Sequence, residues 1–159
     1  MNLDAKLYGA KIIPYANVKR FFQETLPQIE FNKNDAKDVV LDVGCGPGGC
    51  TPTVKKWKGQ ITKLVSIYCL HWLEDTKKGF QNIHRLLKPG GKAAICFVMQ
   101  SIFYDAMKEM ENSKWRSFYK DVGDYLPDSH VNKRKASYYE QMVKEVGFEI
   151  LHLKRRVNK

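Results

Sequence analysis

A chain of 159 residues fits one domain of ordinary size and does not comfortably fit two. With 43% hydrophobic and 12% aromatic residues, it carries enough apolar side chain for a core, which excludes wholesale disorder of the low-hydrophobicity kind. The formal charge of +10 would suit a polyanion partner, but the lysines are scattered over Lys55, Lys56, Lys58, Lys77, Lys78 and Lys133 to Lys135, without an arginine-rich stripe, so nucleic acid is not expected.

The N-terminal segment lacks the apolar stretch of a secretory signal, and the longest apolar run, AAICFVM at 93–99, is too short to span a bilayer; a cytoplasmic protein is expected. Cys45, Cys50, Cys69 and Cys96 form no CxxC pair and have no histidine at zinc-finger spacing, so no metal is expected and the thiols suit a reducing compartment.

In chain order, Val18, Phe21, Phe22 and Leu26 mark a helix over residues 15–25 that ends before Pro27. The run Val39 to Val43 reads as a buried strand stopped by Gly44, and a glycine loop follows it directly. Lys63 to Leu70 is β-branched and aromatic enough for a second buried strand, leading into His71 and Trp72. Phe80, Ile83, Leu86 and Leu87 give a helix that ends at Lys88-Pro89-Gly90-Gly91, and that turn feeds a strand from Ala93 to Met99. Ser101 can cap a helix over 102–112; further helices are predicted over 114–121 and over 137–146. The last of these shows Tyr138, Met142, Val143 and Val146 on one face and closes at Gly147, after which Phe148 to Leu153 reads as a fourth strand. Strands alternating with helices predict an α/β fold with a mostly parallel sheet of about four strands and helices on its faces. The organisation is a lead-in over 1–35, a core over 36–100, and a helical segment with the last strand over 101–159.

Gly44, Gly46 and Gly48 give GxGxG, and Gly44, Gly46 and Gly49 give GxGxxG, so the loop alone fits either a dinucleotide or another nucleotide-like cofactor. A dinucleotide site wants an acid about 20 residues further on, at the end of the next strand, to hold the ribose. Residues 62–70 hold none, and Glu74 and Asp75 lie where a helix begins, which argues against NAD.

Four pieces taken together, LDVGCGPGG, SIYCLHWLED, NIHRLLKPGG and KWRSFYKDV, resemble in sequence and order the S-adenosylmethionine-dependent methyltransferases of the seven-strand class. Within that class they are similar to the arthropod juvenile hormone acid methyltransferase family. The resemblance implies a Rossmann-like methyltransferase fold, S-adenosylmethionine as cofactor and a small apolar carboxylic acid as substrate. Carried over by match, Asp42, Gly44, Cys45, Gly46, Pro47 and Gly48 would line the cofactor together with Cys69, Leu70, His71 and Trp72. His71 and Trp72 would also border the acceptor, over which Tyr8, Tyr15 and Asn17 of the lead-in segment are candidates to close. No catalytic dyad is implied, because a carboxylate acceptor is already ionised at neutral pH and the reaction asks chiefly for alignment.

The chain departs from that family in one place above all. Only residues 49–62 lie between the glycine loop and the next strand, whereas a strand-helix-strand unit takes about 30 or more. In the family two further strands lie there, and the first of them ends in the acid that grips the cofactor ribose. Here TPTVKKWKGQITK replaces them, with the join around Thr51 to Lys55, and the last antiparallel strand is absent or reduced. The truncated fold would leave the glycine-loop strand at the sheet edge, beside the YCLHW strand. Three functions follow from these features: methylation of an apolar acid, a shortened variant that binds cofactor weakly and is inactive, and a basic nucleic-acid-binding module.

Overall fold

The computed structural model describes residues 15–30, 37–44, 57–118 and 121–155. Among them are three strands, β1 (Val40–Val43), β2 (Ile61–Ile67) and β3 (Leu87–Cys96), which form one sheet in the order β1-β2-β3 with both pairings parallel. The α/β class and parallel sheet are as the sequence predicts. So is the position of β1, which sits at an edge with β2 as its neighbour and pairs Val40 with Lys63 through Val43 with Ser66. The sheet has three strands rather than four, and β1 is less covered than its apolar sequence suggests. Val40 is 51% exposed, as an edge strand with only one neighbour allows.

The helices are α1 (Tyr15–Thr25), α2 (Thr76–Leu86), α3 (Ile102–Glu111), the four-residue α4 (Asp128–Val131) and α5 (Ala136–Val146). α1 runs into a 3-10 turn, Leu26–Ile29, as Pro27 demands. α2 starts at an Asp75 cap whose carboxylate accepts from the Lys78 amide, and α3 starts at the Ser101 cap the sequence predicts, with the hydroxyl accepting from the Phe103 amide. Gly147 ends α5 at φ 108°, the left-handed conformation a helix C-terminus commonly takes.

Each face of the sheet has its own core. On one, α2 and α5 bury Phe80, Ile83, Leu86, Tyr139 and Met142 against Ile61, Leu64 and Leu70. On the other, Phe21 of α1 and Ile29 of the 3-10 turn cover Val65 and Ala94. Leu64 and Val65 are consecutive in β2 and point to opposite faces, so β2, buried almost throughout, is the middle of the three layers.

Four local expectations need correction. The Lys88-Pro89-Gly90-Gly91 turn does not precede β3 but lies inside it as a bulge: Ile61 pairs with Leu87 and Lys63 with Lys92, so β3 spends extra residues where β2 spends few. Gly90 takes φ 76°, and a side chain on Gly91 would stand 3.0 Å from the Ile61 carbonyl, which is why the strand tolerates the detour there. Residues 114–118 form turns rather than a helix. In α5 it is Tyr139, not Tyr138, that enters the core, its ring 4.8 Å from Phe97. Phe148 to Leu153 forms no strand and bends at Leu151. Phe148 turns toward α2 instead, edge-on to His84 and Phe80, and leaves Leu151 and Leu153 exposed.

No helix among the described residues is long and apolar enough to cross a membrane.

Candidate active site

The carboxyl ends of parallel strands are where open α/β sheets present ligands. Here β1 and β2 end side by side, Val43 opposite Ser66. Gly44, the next residue, takes φ 93°, and a Cβ there would lie 2.4 Å from Cβ of Cys69 and 2.6 Å from its sulfur. Only glycine permits both that backbone angle and that approach, so the first glycine of the loop is fixed by contact with Cys69, two residues beyond β2. Asp42 stands exposed two residues earlier on β1. Cys45, Gly46, Pro47 and Gly48 lie outside the described residues, as does the connection on to residue 56.

Beyond Ile67 the backbone turns sharply. Tyr68 adopts φ 54°, its amide donating to the Cys96 carbonyl at 2.8 Å, and a 3-10 turn over Leu70–Trp72 follows. The turn divides three side chains by environment. Leu70 is buried in the α2-side core and anchors the turn, so its side chain belongs to packing rather than to a ligand surface. His71 is 5% exposed, with no hydrogen-bond partner on Nδ1, and burial drives its pKa down to about 4, so the imidazole is neutral at physiological pH. Trp72 is 54% exposed, its ring 4.8 Å from that of His71 at a 39° tilt.

A second wall comes from residues that the sequence does not single out. Tyr104 of α3 is buried and meets Trp72 edge-on, centroids 6.0 Å apart and rings at 88°. Burial raises the pKa of its hydroxyl, which stays protonated. Behind it stands His130 of α4, 5.1 Å away ring to ring, and α4 also packs on the Leu70–Trp72 turn. The helical spacing after Ser101 places Tyr104 on α3, but nothing local in either segment tells that α3 and α4 fold back over the end of β2.

Of the residues proposed from sequence, Asp42, Gly44, Cys69, Leu70, His71 and Trp72 are thus brought to one end of the sheet. Tyr15 and Asn17 lie in the first turn of α1, with side chains outside the described residues, and Tyr8 lies outside them altogether. The arrangement can orient a flat or apolar ligand against Trp72 beside a neutral, buried imidazole.

The sequence model of a methyltransferase domain family matches residues 54–153, a stretch that starts beyond the glycine loop and takes in β2, the His71-Trp72 turn and everything to α5. Among curated proteins the chain is similar to juvenile hormone acid O-methyltransferase of Drosophila melanogaster, 32% identical over 111 residues, which is 69% of this chain and 36% of that protein. It is also similar to the protein of the same name from Bombyx mori, 27% identical over 86 residues, 54% of this chain and 31% of that protein. The chain therefore spans about a third of the length of the curated relatives it matches. With the match covering most of the chain and including the turn on which the candidate site is built, the protein belongs to the methyltransferase domain family.

Proposed function

We propose that this protein binds S-adenosylmethionine at the carboxyl ends of β1 and β2 and directs its methyl group to the carboxylate of a small apolar acid, in the cytoplasm. The observation that carries the reading is the buried, uncharged His71 lying against the half-exposed Trp72, at the strand end that Gly44 also reaches. Its chemistry suits a cationic cofactor. A protonated imidazole at this position would repel a sulfonium, and burial keeps the ring neutral across the physiological range. The unpartnered Nδ1 of His71 is a polar atom left for a ligand or a water to satisfy.

When bound, S-adenosylmethionine supplies an electrophilic methyl group on a sulfur that leaves as a neutral thioether. The protein's own task is then to align. Trp72 offers an aromatic face to the acceptor's hydrocarbon, and Tyr104 limits how far the indole can swing. Asp42 and Gly44 define the β1 side of the cradle. No side chain has to remove a proton from an acceptor already ionised at neutral pH. The names of the two insect relatives support an acid as the acceptor.

One observation favours a second reading, in which the chain holds the cofactor weakly and turns nothing over. β1 is an edge strand, and residues 61–70 carry no acid, so among the described residues no carboxylate at a strand end beyond β1 is available to grip a ribose. Two measurements on the same preparation separate the readings: calorimetric titration with S-adenosylmethionine, and transfer of a tritiated methyl group from it to a farnesoic-type acid. Micromolar affinity with turnover is the outcome expected of the first. Affinity in the millimolar range with no labelled ester establishes the second.

A further inference from the structure

Four rings run in sequence from the end of β2 to α4. His71 meets Trp72 at 4.8 Å, Trp72 meets Tyr104 at 6.0 Å, and Tyr104 meets His130 at 5.1 Å. The far end of this series is tied down. His130 is 4% exposed, and its Nε2 lies 3.3 Å from Oδ1 of Asp105, the residue after Tyr104 on α3. The same carboxylate oxygen lies 3.7 Å from Nζ of Lys133. The neighbouring Ser129, also buried, donates its hydroxyl to the Val98 carbonyl at 3.4 Å and holds α4 against the exit of β3.

His130 therefore touches α3 at two adjacent residues, ring to ring at Tyr104 and through Nε2 at Asp105. Facing the carboxylate requires a hydrogen on Nε2, which in the neutral imidazole leaves Nδ1 as a bare lone pair, and that atom has no partner. An unpaired buried nitrogen is destabilising, a cost that an apolar side chain of similar volume would not incur. What the imidazole adds is a polar contact to Asp105 at ion-pair distance, which together with the ring contact at Tyr104 ties α3 to α4 beside Trp72.

We infer that His130 and Asp105 are positioning residues for Trp72: through Tyr104 they set the angle of the exposed indole and so the width of the space open to an acceptor. The inference deepens the functional reading above and rests on it for the role of Trp72, but the mechanical link does not depend on turnover.

The test uses a chain in which Trp57→Phe and Trp115→Phe leave Trp72 as the sole tryptophan, so that its emission and its quenching by acrylamide report the indole directly. Asp105 is exposed, and Asp105→Ala should leave the fold intact by circular dichroism. In Asp105→Ala and in His130→Ala, Trp72 emission is expected to shift to longer wavelength with stronger quenching. His130→Gln, whose terminal amide can reach the position of Nε2, should restore both signals toward those of the parent. Where turnover is measurable, the alanine variants should raise KM for the acceptor about three- to tenfold, the loss of one aromatic edge contact. Unaltered Trp72 emission and quenching in folded Asp105→Ala overturns the inference. Absence of turnover in the parent chain would overturn only the functional reading, since the fluorescence comparison stands without it.

Discussion

His71 titrates against its own burial. In the unfolded chain its pKa returns to the ordinary value near 6.5, whereas in the fold it is about 4. Between those values the unfolded chain binds the proton and the folded chain does not, so acid favours unfolding. The contribution of His71 to stability is complete above pH 6.5. It is lost as the pH falls toward 4, at on the order of 1 kcal/mol per pH unit. Thermal melting of the parent and of His71→Gln between pH 7 and 5, above the ordinary carboxylate range, should show a shallower slope for the variant; coincident slopes would contradict the burial account. At this scale the sequence was informative where a motif is local. Gly44, Cys69, His71 and Trp72 are contiguous with the strands they terminate, and their meeting follows from the parallel pairing of β1 with β2. Tyr104, Asp105 and His130 escaped because what brings them to the site is the packing of α3 against α4, which the helical spacing within either segment does not reveal.

At the scale of elements, three of the four predicted strands and the place of β1 beside β2 were legible, whereas the side-chain contacts that start a pairing or prevent one were not. β2 shows this at its first residues. Its pairing with β1 begins where the Thr62 hydroxyl accepts from the Val39 amide and donates to Asp38, a side-chain clasp that hydropathy does not reveal. Phe148 to Leu153 has the composition of a strand, yet Gly147 delivers it to α2, where a side chain on that glycine would meet the His84 ring at 3.1 Å, and away from any free strand edge. β1 has the converse problem, an apolar strand with one neighbour. Its exposed Val40 should make it the point of self-association, as unprotected edges commonly are. Val40→Lys should lower light scattering on concentration while shifting the melting temperature little; undiminished association would place the sticky surface elsewhere.

Among the described residues the two faces of the sheet are covered unevenly. On the α2 and α5 side, eight buried residues form the core and ten partly buried ones flank it; on the α1 side there are four and two. The ion pair between Lys77 of α2 and Glu145 of α5, at 2.7 Å, adds little to this, both partners being nearly half exposed. Burial of a large apolar side chain contributes about 1.5–3 kcal/mol, so among the described residues Phe21 and Ile29 are the main apolar anchors of α1 and its 3-10 turn. The two faces should therefore open at different free energies, and the difference has a time signature. Amide protons of α1 should exchange with solvent well before those of α2 and β2, through an excursion in which the lead-in helix lifts from Val65 and Ala94 while the opposite core stays closed. Exchange of α1 and α2 at one common rate would show the two layers to be a single cooperative unit. Staggered exchange would mean that the Leu70–Trp72 turn, rooted by Leu70 in the larger core, keeps its shape through openings that uncover the other face of the sheet.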